Sequence, residues 1–506
     1  MRKTLLFILV ILLTASLSAA CTGSGATDSG ASSGRTSLRY AASDFFMMND
    51  PHYQYRSVDN LVSSMVYEPL MYFDNFGNFE PRVSTSYEVS DDGLVYTIHL
   101  RHGVKFHSGG EMKASDVLFS IERAKKAPTM QINTEPIAKV EAPDDYTVVI
   151  TLKEINPMFH SLCNFGIMSE EAGKDLAPGF FGANVGTGAW LLTEFKGDEK
   201  IAFKRNEDWY MPLPEVETLE VYAVTDVNTM IMAFEAGDLD FIGVTAAEYE
   251  RLANTGKYTM YSNPYYHTTF INFNEKVPPF DNVLVRKAFN YAINQEDVMR
   301  GAMKGLADRA YYIGNRYYIT YLPDPASGLF ETYPYDPAKA RELLAEAGYP
   351  DGLHIDEPTM VLPIQHYITA NEIMQQQLAE AGIYIEIAMG DPSTHYSDHV
   401  NGNYHFGMQG WDWIVSDWYW TERIFSTGGI GDANMTFYSN PVVDELYEKA
   451  RHTADQEKRV EYFTEIIRIL SEDAVIVPLY HRHVCYAWNK NLNADPNRPI
   501  SEWHWN

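Results

Sequence analysis

The stretch Tyr87-Glu88-Val89-Ser90-Asp91-Asp92-Gly93-Leu94-Val95-Tyr96-Thr97-Ile98-His99-Leu100-Arg101 reads as a turn followed by a strand. Leu94, Tyr96, Ile98 and Leu100 alternate with Val95, Thr97, His99 and Arg101, the period of two that sends successive side chains to opposite faces of a sheet. Tyr146, Val148, Ile150 and Leu152 repeat the alternation after Asp144-Asp145. Between them, Ser115-Asp116 is expected to cap a helix running from Val117 to Ala124. Together these pieces predict a small strand, helix, strand unit.

Further along, the chain repeats helix-then-strand phrasing. Asp226 can cap a helix through Met230, Phe234 and Ala236; Gly237 stops it, and residues 239–244 read as a buried strand. Asp281 is expected to open a helix with Val285, Phe289, Ala292 and Ile293 on one face. Asp336-Pro337 starts another, ended by Gly348. A strand about Met360-Val361-Leu362, a helix from Tyr367 to Ala381 and a strand over 383–387 follow, then helices after Asn440-Pro441 and Asp455. Helices and strands mixed in this way predict α/β lobes.

The first residues have the layout of a secretory signal: Met1-Arg2-Lys3, an apolar run from Leu5 to Leu13, and small residues up to Ala19-Ala20-Cys21. Cys21 stands where bacterial lipoproteins carry their lipidated cysteine, so residues 1–21 are expected to be a lipoprotein signal ending at a modified Cys21. Residues 22–36 are a Gly/Ser tether with an average reach of roughly 20 Å. The body is then held at a membrane by its lipid alone, because no later run is long and apolar enough to span one. A formal charge of −29 argues against nucleic acid or anionic lipid as a partner. Cys163 and Cys485 lie far apart in sequence and are read as buried, independent thiols rather than a bridge.

Catalytic signatures are absent from the body that follows the tether: it has no Gly-x-Ser-x-Gly elbow, no His-Glu-x-x-His, no phosphate loop and no Cys-x-x-Cys. Gly186-Thr187-Gly188 reads only as a turn. His395 and His399 would share one helix face, with Asp398 and His405 nearby, but no further ligand is set by spacing, so a polar surface helix is the preferred reading over a metal site. His481-Arg482-His483 alternates like a strand and is read as incidental. No metal or cofactor is expected.

Carried on through His102-Gly103-Val104-Lys105-Phe106-His107 to Ala114-Ser115-Asp116-Val117-Leu118-Phe119-Ser120, the opening stretch resembles the signature region of the bacterial extracellular solute-binding proteins, family 5. That family is the peptide and nickel binding group of ABC transporter receptors. Tyr67-Glu68-Pro69-Leu70, Val185-Gly186-Thr187-Gly188, Pro279-Phe280-Asp281, Tyr335-Asp336-Pro337 and Pro478-Leu479-Tyr480 stand in family order. The resemblance implies an α/β, two-lobe periplasmic-binding-protein-like fold (class II) with an extra small domain inserted in the first lobe. Residues 37–70, 185–274 and 477–506 would be the first lobe, 71–184 the inserted domain, and 275–476 the second lobe. The chain would cross between lobes near Asn272-Phe273-Asn274 and Val475-Ile476-Val477. A monomer that closes its lobes over a solute and presents it to an ABC permease and ATPase complex is the implied function, with no catalysis.

Gly410-Trp411-Asp412-Trp413-Ile414-Val415-Ser416-Asp417-Trp418-Tyr419-Trp420 holds four of the nine tryptophans. In peptide-binding relatives an aspartate shortly after a Gly-Trp pair holds the ligand's ammonium. Here the third place after Trp411 is Ile414, so Asp417 takes the role only across a small insertion, and Asp412 is the other acid at hand. Trp411, Trp413, Trp418 and Tyr419 are expected to divide between core and ligand wall, since adjacent positions cannot share a face. Tyr265, Tyr266 and His267, before the crossing strand, and Asp44, Phe45 and Phe46, on an early loop, are further candidates. The implied ligand is a di- or oligopeptide. An oligosaccharide is the alternative, because tryptophan faces suit sugar rings, and a glycoside hydrolase using Asp412 and Asp417 as its acid pair is the reading from another class.

Overall fold

The fourteen-residue strand Ile476–Asn489 ties the molecule together. In the computed structural model, which describes residues 35–506 apart from 54–56, 75–77, 157–158, 160–162, 318 and 413–417, this strand belongs to two sheets in succession. Its first part pairs antiparallel with His267–Phe273, with Ile271 opposite Val477 and Thr269 opposite Tyr480. Its last part pairs with Tyr258–Pro264, from Pro264 opposite His483 to Tyr258 opposite Asn489. Both strands therefore change sheet at one level, at Tyr265-Tyr266 on one and around His481-Arg482 on the other. The strands change sheet earlier than Asn272-Phe273-Asn274 and later than Val475-Ile476-Val477, the levels at which the chain was expected to cross between lobes. The reason is non-local: a register between segments some two hundred residues apart sets the level, and no local pattern announces it.

Beyond the shared strand, the first sheet continues through Phe241–Gly243, Ser37–Ala42, Thr218–Ala223, Lys200–Arg205 and Trp190–Lys196. Ser37–Ala42 runs parallel to both of its neighbours. Leu38, Val62, Trp190, Phe203, Val221, Phe241 and Trp488 fill the core beside this sheet. The second sheet adds Phe406–Asp412 to the far edge of His267–Phe273. Every residue of His267–Phe273 is buried, because helices cover both faces. Ile271 and Phe273 pack with Phe280, Phe289 and Phe406 on one side, and Phe270 packs with Trp418, Phe463 and Ile467 on the other.

The strand, helix, strand unit is part of a separate antiparallel sheet of four strands, ordered Ser84–Val89, Val95–Leu100, Thr147–Leu152 and Ile137–Asp144. Its core is its own, with Ile98, Val117, Ile121, Val148 and Ile150 fully buried. The helix spans Ala114–Ala124 and begins earlier than expected. Lys113 holds the cap position, and Asp116 reaches back to accept from its amide at 2.9 Å. Asp226, Asp336, Asn440 and Asp455 do cap the helices assigned to them, each accepting from an amide two or three residues on. Asn282, rather than Asp281, caps Val283–Ala292. The strand expected over 383–387 is two short pieces, Ile383–Tyr384 and Ile387–Met389.

Gly186-Thr187-Gly188 is more than a turn. A Cβ on Gly186 would stand 2.1 Å from the Val66 carbonyl oxygen, so glycine is what lets this segment lie against the end of the helix Ser57–Val66. The Thr187 hydroxyl and the Tyr210 hydroxyl then donate to the buried Glu68 carboxylate at 3.0 and 2.9 Å.

Candidate ligand site at the strand crossing

Where the strands change sheet, charged and aromatic side chains gather. Tyr265 and Tyr266 occupy the crossing, their rings edge to face at 6.1 Å. The Tyr265 amide donates to the Arg482 carbonyl at 2.9 Å, locking the two crossing strands together. Arg482 lays its guanidinium 4.8 Å from the Tyr265 ring centre and 3.7 Å from Asp412 Oδ1. His267 Nδ1 lies 2.6 Å from the same oxygen. An ionised carboxylate only accepts, so His267 donates from Nδ1, and its Nε2 faces the Thr269 hydroxyl at 3.2 Å.

The electrostatics follow from burial. Desolvation holds His267 below the ordinary histidine range despite the hydrogen bond to Asp412, so it is neutral near pH 7. His366, beside it, is pushed down to about 4 by burial and by the nearby Arg482 and His267. Burial alone would raise Asp412, but the His267 hydrogen bond and the Arg482 charge outweigh it and hold the acid below its usual value. Among the described residues the crossing thus presents the cation Arg482 and the anion Asp412, with side chains 35% and 54% exposed.

Gly410 makes this packing possible. An added Cβ would stand 2.4 Å from the His267 ring and 2.5 Å from the Tyr367 hydroxyl. The glycine of the Gly-Trp pair is therefore the seat on which the Asp412 partner rests.

The expected site residues separate under this geometry. Asp412, Tyr265 and Tyr266 come together at the crossing. Trp411 is partly buried against the core beside Trp418. Trp418 itself is 1% exposed, stacked on Tyr447 with its indole N–H donating to the Ile313 carbonyl, so the structure assigns it to the core and not to a ligand wall. Tyr419 turns toward Arg451, 5.7 Å from its ring centre. Phe45 is 46% exposed on its loop, while Phe46 beside it is buried. Trp413 and Asp417 lie outside the described residues. The residue not singled out beforehand is Arg482. Its alternation as a strand was visible, but its partner Asp412 is far away in sequence.

The histidine cluster resolves differently from the polar surface expected. His395 and His399 are buried, their rings 4.3 Å apart, with Gln409 Nε2 donating to His395 Nε2 at 3.0 Å and His399 Nδ1 donating to the His395 carbonyl at 2.8 Å. The helix turns this face inward onto Tyr404 and the strand Phe406–Asp412. Among the described residues no group of three or more His, Cys, Asp or Glu is placed to hold a metal ion. Cys163 and Cys485 are buried free thiols. A cavity of about 400 Å³ lies elsewhere, beside the first sheet, lined by Tyr40, Glu68, Arg82, Trp209 and Trp503, and none of the expected ligand residues reaches it.

The model of the bacterial extracellular solute-binding proteins, family 5, matches residues 78–432, and the chain belongs to that family. It is 30% identical over 482 residues to the glutathione-binding protein GsiB of Salmonella choleraesuis, covering 89% of this chain and 90% of that protein. The ABC transporter substrate-binding protein CtaP of Listeria monocytogenes superposes with a TM-score of 0.84 at 22% identity, over 93% of this chain and 99% of that one. The periplasmic binding protein DppA of Helicobacter pylori, solved in complex with the peptide STSA, superposes at 0.73 with 24% identity over the same shares. The fold is thus the two-lobe α/β fold of periplasmic binding proteins, and the protein is a solute-binding receptor of family 5 and not an enzyme. Among the described residues no helix is long and apolar enough to cross a membrane.

Proposed function

We propose that this receptor captures a short peptide between its lobes at the strand crossing and delivers it to the ABC permease and its ATPase. One observation carries the reading: Asp412, half-exposed and held in place by His267, offers an oriented carboxylate to a ligand ammonium, with the Tyr265 and Tyr266 rings beside it. The similarity to a glutathione-binding protein and to a protein solved with a peptide supports the same ligand class. Trp418, buried in the core, has no free face to offer the rings of an oligosaccharide.

The division into lobes is part of this proposal. Residues 37–70, 185–266 and 481–506 supply the first lobe, 71–184 the inserted small domain and 267–480 the second lobe, each boundary moved from 274/275 and 476/477 to the level at which the strands change sheet. The separate core of the four-stranded sheet supports the insertion. Lipidation at Cys21, which lies outside the described residues, would tether a monomer to the membrane through the 22–36 linker.

A thermal-shift screen of mixed di- to pentapeptides against oligosaccharides tests the ligand, since a bound solute raises apparent stability by mass action. Stabilisation by peptides with no product formed is expected; stabilisation by sugars alone would overturn the peptide reading. Cys21→Ser should release the protein from membranes into the soluble fraction, and continued retention would remove that cysteine as the anchor.

A further inference from the structure

We propose that the cavity beside the first sheet is a second binding site, taking a small organic amine whose ammonium pairs with Glu68 and whose apolar body lies against Tyr40, Phe241 and Trp503. It is independent of the strand crossing, none of whose residues lines it. One wall is aromatic. Tyr40 stands opposite Phe241 on neighbouring strands, and Tyr486 stands opposite Gly243, two residues on, so the three rings share one face of the sheet. The Phe241 ring centre is 5.4 Å from that of Tyr40, 5.0 Å from that of Tyr486 and 4.7 Å from that of Trp503. At about 400 Å³ the space is far larger than a water molecule needs and is of the size that small ligands fill.

The charges around the cavity decide what the ligand carries. Among the described residues Arg82, Arg498 and Glu68 are the basic and acidic side chains that line it. Both guanidiniums are already engaged. Arg498 donates to Glu80 at 2.6 Å and to Glu502 at 2.9 Å, and Arg82 Nη2 lies 3.4 Å from Glu80 and 3.6 Å from Glu502. Glu68 instead meets neutral donors, the Thr187 hydroxyl on one oxygen and the Tyr210 hydroxyl on the other, and each oxygen keeps a lone pair for a second bond. Burial accordingly pushes this acid up to about 7, and the Arg82 charge pulls it back only in part. An ammonium beside Glu68 supplies the counter-charge that the protein does not, and the ring faces favour a cation as well. An anion would be repelled there, and a neutral solute would leave the buried carboxylate uncompensated.

Calorimetric titration of the full mature chain with phenethylamine, phenethyl alcohol and hydrocinnamate tests this. At pH 8 the amine should bind at least about tenfold more tightly than the alcohol or the carboxylate, the difference one charge-assisted hydrogen bond makes. Glu68→Gln should erase that preference, whereas Asp412→Ala, which removes the acid at the crossing, should leave it intact; thermal unfolding checks that both variants fold. The wild type gives a second readout that needs no variant. The amine stays charged from pH 6 to pH 8 while Glu68 gives up its proton, and the groups facing Glu68, which are Thr187, Tyr210, Trp209 and Arg82, keep their charge states over that range. Affinity for the amine should therefore rise about tenfold between those two pH values, with a proton released on binding at the lower one, and affinity for the alcohol should not follow. Equal affinity for amine and alcohol, a flat pH profile, or loss of the preference in Asp412→Ala rather than in Glu68→Gln overturns the proposal and leaves the peptide reading standing.

Discussion

The His267 imidazole rests directly on Gly410, at a distance an added Cβ would reduce to 2.4 Å. Gly410→Ala must therefore push the ring away from Asp412, and overpacking of this kind costs about 1–3 kcal/mol. Chemical denaturation should show that loss, and solute affinity should fall with it. An alanine variant of unchanged stability would mean that the ring does not sit there.

His452 Nε2 lies 3.5 Å from Glu154 Oε2, joining the end of the helix Pro441–Arg451 to the segment that follows the strand Thr147–Leu152. The Glu448 carbonyl, accepting from the ring at 2.9 Å, leads in raising His452 above its ordinary value, with Glu154 adding to it. A raised histidine stabilises the folded state fully below its unfolded value and loses that contribution as pH rises through the folded one. The wild type should exceed His452→Gln in melting temperature at pH 5.5 by a margin that shrinks by pH 8. A margin that grows with pH would contradict the pairing.

Glu68 gives a slope that ordinary carboxylates do not. Burial outweighs its hydrogen bonds and moves it up to about 7, so between the unfolded and folded values the folded chain holds a proton that the unfolded chain has lost. Stability should fall across that window, by about 3 kcal/mol in total. Glu68→Gln should flatten that part of the pH–stability curve, and an unaltered slope would show that the acid is solvated.

Trp418→Ala should cost about 3–5 kcal/mol, as a buried aromatic truncation does, because the ring fills the core between Tyr447 and Phe463. A variant of native stability with lost solute binding would return Trp418 to the ligand wall.

Helix ends and strand alternation were legible because their causes are local. Asp226, Asp336, Asn440 and Asp455 each cap with their own carboxylate or amide oxygen, and Tyr96, Ile98 and Leu100 alternate into one core. Asp412, Tyr265 and Tyr266 were likewise visible as candidates. The level of the crossing was not, since it depends on the register of Thr269 with Tyr480 and of Pro264 with His483. For the same reason Arg482 looked incidental: its meaning lies in a carboxylate on another strand. His395 and His399 were read as a solvent face because helical spacing says which residues share a face but not which way that face turns.

Hydrogen–deuterium exchange with and without a saturating peptide tests the central claim most directly. Closure of two lobes on a solute at the crossing predicts simultaneous protection of Tyr265–His267, of the segment around Asp412, and of the first-lobe loop around Phe45. Protection confined to one lobe, or to the segments lining the cavity at Glu68 and Trp503, would contradict it.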